Sequence, residues 1–199
     1  MSKSTCRRVG TPALVAALVA ASLCAPAWAA TDEAGQSAVW TPRELQFTYM
    51  GFTTKYTCDG LRDRVKTMLL LLGARKDDLK VVQSPCSGNP DRPDPFPGVR
   101  IKMHVLQPTD QKPTPDGQIV AAHWQPVDLL KGEFGLDAAG QCELLEQVNQ
   151  KILPLFATRN IDMQTSCVPH QLSPAGTRLK AEVLIADRKK PADKQAAAK

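Results

Sequence analysis

The chain has 199 residues and a formal net charge of +5, but three of its basic residues and none of its acidic ones lie in a predicted N-terminal signal. The rest carries 22 Lys+Arg and 20 Asp+Glu, so its near-neutral charge gives no argument for a nucleic-acid partner or an anionic membrane. No later segment is long and apolar enough for a membrane helix, so we predict no membrane span in the mature chain.

A secretory signal peptide is predicted for residues 1–29. It has a basic start, an apolar alanine-rich stretch at 12–25 and a small-x-small cleavage signal that ends at Ala29. The apolar stretch is too short to span a bilayer, which takes about 20 residues. A lipoprotein signal is the alternative because Cys24 lies near the end of the stretch, although Leu23 stands where a small residue is usual. We therefore predict a periplasmic or secreted protein.

The strand preceding the first helix contains a proline. This strand is predicted to start near Val39. Because Pro42 cannot donate a hydrogen bond to a neighbouring strand, we expect the strand to be an edge strand or to start at the proline. The aromatic and β-branched stretch at 45–56 breaks at Gly51, and we expect two short strands or one bent strand there.

Apolar side chains at helical spacing predict one helix in each half of the chain. The second helix contains Pro154, so we expect a kink or an early end there. In chain order, the predicted elements are a helix at 59–72, a strand at 79–83, a proline-rich loop at 84–98, a strand at 99–106, an extended segment at 120–130, a glycine-containing connection at 131–140, a helix at 142–156, strands at 161–165 and 176–186, and a disordered basic tail at 187–199.

Two halves of the chain repeat one pattern with an offset of 84 residues. A Trp-x-Pro-x-(Glu/Asp)-Leu box begins at Trp40 and again at Trp124, and each box precedes a helix-opening cysteine by the same distance. After two short gaps, the strands at 98–106 and 176–184 also match residue for residue. The pattern predicts an internal duplication. Its parts are repeat unit 1 at 39–107, a proline-rich linker at 108–118 and repeat unit 2 at 119–186.

The predicted fold class is α+β. Two tandem β-α-β-β repeats are expected to be related by pseudo-twofold symmetry, with antiparallel strands packed against one helix per repeat. The pattern leaves open whether the strands form one sheet or two. Trp40 and Trp124 occupy the equivalent position in the two repeats, so they are expected either to anchor the core or to line a pseudo-symmetric cleft.

Four cysteines remain after the signal, which in an exported chain indicates two disulfides. Four cysteines allow three pairings, and the duplication favours Cys58–Cys86 and Cys142–Cys167, each within its own repeat. A crossed, helix-to-helix pairing is the alternative. The chain lacks Cys-x-x-Cys and His-x-x-x-His spacings, so no metal ligand set and no cofactor are predicted.

Candidate binding residues fall into an aromatic group and a basic group. The aromatic group precedes the first helix, and the alternative is that its members pack in the core. The basic group alternates with apolar residues on the two matching strands, so it is expected to form a stripe on an exposed sheet face, either for an acidic partner or as ordinary solvated charge. The residues are Phe47, Tyr49, Phe52 and Tyr56, and Arg100, Lys102, Arg178 and Lys180.

No nucleophile elbow, phosphate loop or dinucleotide fingerprint is present in the sequence, and no catalytic residue is predicted. We therefore expect an exported, disulfide-stabilised, non-catalytic binding or interaction module of the cell envelope, with a protein or an envelope polymer as its partner and no nucleic acid. The alternatives are a small secreted enzyme with a carboxylate-lined cleft between the repeats, and a structural subunit of an envelope assembly.

Overall fold

A computed structural model describes residues 35–86, 92–130, 141–168, 170–171 and 177–187. The predicted signal peptide, the 131–140 connection, part of the proline-rich loop and the tail from residue 188 onward lie outside these residues. The elements are β1 (Gln36–Thr48), α1 (Cys58–Leu71), β2 (Lys80–Gln83), β3 (Gly98–Pro108), β4 (Ile119–Asp128), α2 (Cys142–Lys151), β5 (Thr158–Gln164) and β6 (Arg178–Ala186), with 3-10 turns at Lys76–Asp78 and Leu153–Leu155.

The strands of the described residues form one antiparallel sheet of six strands in the order β2-β3-β1-β4-β6-β5. This sheet and the two helices confirm the predicted α+β class. β1 pairs with β3 from Ala38 to Thr48 but with β4 only from Gln36 to Val39. The strands of the two halves therefore share one sheet, joined by four residues at the start of β1 and of β4.

β1 continues through Pro42, so the prediction that the strand starts there is wrong. In the sheet order β1 lies between β3 and β4, but beyond Val39 it pairs only with β3, so at Pro42 it has one free side, as an edge strand does. The backbone explains why the proline is tolerated. The Trp40 N–H, two residues earlier, donates to the Gln118 carbonyl at 3.0 Å, on the side of β1 that faces β4. The Pro42 nitrogen points the same way, but β4 starts only at Ile119. The missing donor therefore interrupts no ladder hydrogen bond.

The helices begin where the sequence indicates. At the start of α1, the Thr57 hydroxyl accepts a hydrogen bond from the Gly60 N–H at 3.0 Å, which satisfies one free donor of the first turn. Gly73, with φ of 90°, follows the end of α1 in the left-handed conformation that glycine adopts most easily. α2 takes the early end expected from Pro154, and a 3-10 turn replaces its last residues.

Both helices pack on one face of the sheet over a single hydrophobic core. Inward-facing residues of β3, such as Ile101 and Val105, alternate with the exposed Arg100 and Lys102. The opposite sheet face carries a smaller cluster around Leu106 and Leu184. Trp40 and Trp124 are partly buried against this second cluster, so they lie on the face away from the helices.

The start of each helix is linked by one disulfide to a later segment of the same half. The disulfides join Cys58 to Cys86 and Cys142 to Cys167, which is the pairing that the duplication predicts. The crossed pairing is not formed. Two disulfides are consistent with an exported, disulfide-stabilised protein. Neither helix of the described residues combines the length and apolar character needed to cross a membrane.

Candidate interaction surface

The stretch at 49–57 forms a loop, not the short or bent strands that we expected from its composition. β1 ends at Thr48, and α1 begins at Cys58. Six backbone groups of this loop are paired with side chains, four of them with side chains on the first turns of α2. The loop therefore has an ordered shape without a neighbouring strand.

Two side chains of α2 hold residues 50–55, which we call the clamped loop. Gln147 accepts from the Met50 N–H at 3.0 Å and donates to the Met50 carbonyl at 2.8 Å. One turn earlier, a single Glu143 carboxylate oxygen accepts from the N–H groups of Phe52 and Thr53, at 2.9 and 3.0 Å. Residues four apart lie on the same side of a helix, so both side chains reach the same loop.

The clamped loop also closes on itself. The Lys55 ammonium group donates to the Gly51 carbonyl at 2.7 Å, and the Tyr49 hydroxyl donates to the Thr54 carbonyl at 3.0 Å. The same hydroxyl lies 3.2 Å from the Glu143 carboxylate. Six backbone groups of the loop, at positions 50 to 54, are therefore paired within the molecule.

Two buried tyrosines support the loop from below. The rings of Tyr49 and Tyr56 meet edge to face, with 4.9 Å between their centroids. Burial raises the pKa of Tyr56 to about 12. Burial, together with the charges of Tyr56 and Glu143, raises the pKa of Tyr49 well above its ordinary value. Both hydroxyls therefore remain protonated at neutral pH, and Tyr56 pairs with Gln141 at the start of α2.

The structure separates the predicted aromatic group. Phe47, Tyr49 and Tyr56 are buried in the core, so their ring faces are not available to a partner. Phe52 is 59% exposed. Met50, which the sequence analysis did not single out, is 58% exposed on the same loop.

Neighbouring segments extend the exposed apolar surface beyond the clamped loop. The Phe52 ring lies 5.7 Å from the ring of His170, and the Lys55 ammonium group lies 5.8 Å from the Phe52 centroid. The Tyr49 N–H donates to the Pro97 carbonyl at 2.9 Å, which brings the proline-rich loop alongside. Phe96, on that loop, is 60% exposed. Exposed apolar side chains thus lie on the clamped loop and on the segment that is bonded to Tyr49, just before the loop.

The predicted basic stripe is divided by the sheet order, because β1 and β4 lie between β3 and β6. Three of its four cations also have an acidic neighbour on the sheet. Lys102 pairs with Glu44 at 2.8 Å, Arg178 with Asp162 at 2.8 Å, and Lys180 lies 3.9 Å from Asp128. Arg100 is exposed on β3. The local charge around these three cations is therefore largely balanced.

Carboxylates line a surface cavity of about 320 Å³ on the second half of the described chain. Its lining includes Asp128, Asp162 and Glu182. Hydrogen bonds from Asn160 and then Arg159, at 2.9 and 2.6 Å, lower the pKa of Glu182. An ionised, paired carboxylate cannot donate a proton near neutral pH, so Glu182 has the opposite property to a general acid.

Sulfur atoms and carboxylates come together at both helix starts. Cys58 and Cys86 lie near Asp94, and Cys142 and Cys167 lie near Glu146. Both cysteine pairs are oxidised, so these four sulfurs do not offer thiolate ligands to a metal ion.

Comparison of the chain with protein-family models, with curated protein sequences and with solved structures finds no match.

Replacing Glu143 with alanine is expected to lower the free energy of unfolding by about 2 kcal/mol, because two backbone N–H groups and one tyrosine hydroxyl lose their acceptor. Glu143→Gln keeps one acceptor oxygen in place and should lose about half as much. Urea-induced unfolding of the two variants and the wild type measures both values. Equal stability of Glu143→Ala and the wild type would show that the loop is not held by this side chain.

Proposed function

We propose that the mature chain is an exported, non-catalytic interaction module of the cell envelope, and that the clamped loop is its contact surface. The observation that supports this most directly is the fourfold backbone attachment of the loop to Gln147 and Glu143, at the position where Met50 and Phe52 are exposed. The signal-like N-terminus and the two disulfides support export.

The attachment of the loop matters because exposed apolar side chains are normally unfavourable and binding normally costs conformational entropy. A free loop could turn Met50 and Phe52 toward the protein, whereas this loop is held with both side chains outward. Ordering a loop at an interface reduces affinity, and a loop that is already ordered avoids that cost. An aromatic side chain on a rigid support is also a common energetic centre of an interface.

We also propose that the two halves descend from one duplicated unit. Equivalent residues make equivalent contacts: the Arg75 guanidinium lies 5.6 Å from the Trp40 ring centroid, and that of Arg159 lies 4.6 Å from Trp124. Trp40 pairs with Leu106 across the first half of the sheet, and Trp124 pairs with Leu184 across the second. These repeated contacts support pseudo-twofold symmetry between the halves.

The central pairing of the sheet gives independent support for that symmetry. Gln36 pairs with Ala122, and Ala38 pairs with Val120. The 84-residue offset converts Gln36 to Val120 and Ala38 to Ala122, so it exchanges these two pairs. This exchange is what a pseudo-twofold axis through the centre of the pairing would produce, because such an axis places each half on the other and leaves the set of paired residues unchanged.

The contact surface is tested by comparing what the oxidised mature protein and its variants retain from a solubilised envelope extract. Met50→Ser combined with Phe52→Ala should reduce recovery of the retained component at least about tenfold, because both exposed anchors are removed. The double variant leaves the buried tyrosines intact, so its free energy of unfolding in urea should equal that of the wild type.

Ile161→Ala is the matched control, since Ile161 is 49% exposed on β5 and does not belong to the clamped loop. It should behave as the wild type. If the double variant retains the same component to the same extent as the wild type, the clamped loop is not the contact surface.

A further inference from the structure

Six backbone groups of the clamped loop meet a requirement for entry into a lipid interface. A chain segment that enters the apolar part of a bilayer loses its hydrogen bonds to water, and each unpaired backbone group then costs several kcal/mol. In this loop, the N–H groups of Met50, Phe52 and Thr53 are bonded to side chains of α2. The carbonyl groups of Met50, Gly51 and Thr54 are bonded as well.

The exposed side chains of the clamped loop are apolar or positive. Met50 and Phe52 project from the loop, and the exposed Lys55 lies beside the Phe52 ring. An apolar tip with a cation beside it is a combination that binds anionic lipid surfaces.

Two carboxylates near the clamped loop are engaged inside the molecule. Glu143 is used by the loop, and Asp94 is only 7% exposed, with one carboxylate oxygen accepting from the Phe96 N–H at 2.9 Å. Neither opposes an approaching phosphate as a free surface charge. The near-neutral charge of the whole mature chain is therefore compatible with a locally positive surface.

We infer that the envelope component bound by the clamped loop is the surface of an anionic bilayer. Met50 and Phe52 enter the boundary between headgroups and acyl chains, and the Lys55 ammonium group lies at the level of the lipid phosphates. This inference depends on the proposed function, since it names the partner of the same surface. A typical protein partner would add about one hydrogen bond per 100–200 Å² of interface, whereas six backbone groups of this loop are already bonded internally.

Co-sedimentation of the oxidised mature protein with vesicles tests the inference. The wild type should sediment with vesicles of phosphatidylglycerol and phosphatidylethanolamine and only weakly with vesicles of phosphatidylcholine. Met50→Ser combined with Phe52→Ser should weaken binding to the anionic vesicles at least about tenfold. Lys55→Gln should weaken it about fivefold, and the loss should shrink as salt is added. Ile161→Ser should sediment as the wild type does.

The lipid inference is overturned if the wild type does not sediment with anionic vesicles, or if the double variant binds them as tightly as the wild type. The same proteins are then applied to an envelope extract from which membranes have been removed. A soluble component that the wild type retains and the double variant loses would preserve the proposed function while excluding the bilayer as the partner. Failure of both experiments would overturn both proposals.

Discussion

Replacing Cys142 and Cys167 together with serine is expected to lower the free energy of unfolding by about 3–4 kcal/mol. The bridge joins residues 25 apart, and in the loop-entropy model a closed loop of this size restricts the unfolded chain by that amount. Urea-induced unfolding of the oxidised mature protein, followed by tryptophan fluorescence, measures the loss. The cooperative slope with urea should increase, because the unfolded chain without the bridge exposes more surface.

The other disulfide supplies the matched comparison. Cys58 and Cys86 are 28 residues apart, so their replacement with serine should cost nearly the same. Reduction of the wild type removes both bridges, so it should lower the free energy of unfolding by more than either pair of substitutions does. A variant without the 142–167 bridge that keeps the wild-type midpoint in urea would show that this crosslink contributes nothing to stability.

Replacing Gly51 with alanine is expected to cost about 3 kcal/mol and to disrupt the clamped loop. A Cβ atom at this position would lie 1.8 Å from the Tyr49 hydroxyl oxygen and 2.7 Å from a Glu143 carboxylate oxygen. Tyr49 cannot move aside easily, because its ring is buried against Tyr56. The extra methyl group must therefore displace the loop from α2 or force strain into the packed ring. Urea-induced unfolding of the variant measures the cost.

Gly35→Ala is the control for this substitution, since a Cβ atom there would meet its nearest neighbour, a carboxylate oxygen of Asp187, at an ordinary 3.5 Å. It should change stability by less than about 0.5 kcal/mol. Gly51→Ala should also weaken vesicle binding, because Met50 and Phe52 lose their fixed positions. Wild-type stability for Gly51→Ala would contradict the close packing of the loop on Tyr49 and α2.

The difference between Phe52 and its aromatic neighbours shows the limit of sequence reasoning at this site. Composition marks the whole stretch from Phe47 to Tyr56 as strand-like, yet β1 ends at Thr48. The groups that replace a strand partner are Glu143 and Gln147, more than 90 residues away in the sequence. No local pattern specifies that contact, so neither the loop nor the exposure of Met50 could be predicted.

The sequence by itself determined the helix starts, the α+β class and the pairing of the cysteines, because helical spacing, caps and repeated cysteine positions are local or periodic signals. The tertiary structure alone decided that the strands form one sheet, that β1 continues through Pro42, and that only Phe52 of the four aromatic candidates is exposed. Each of these three features depends on contacts between segments that are distant in the sequence, and the packing of the whole chain selects those contacts.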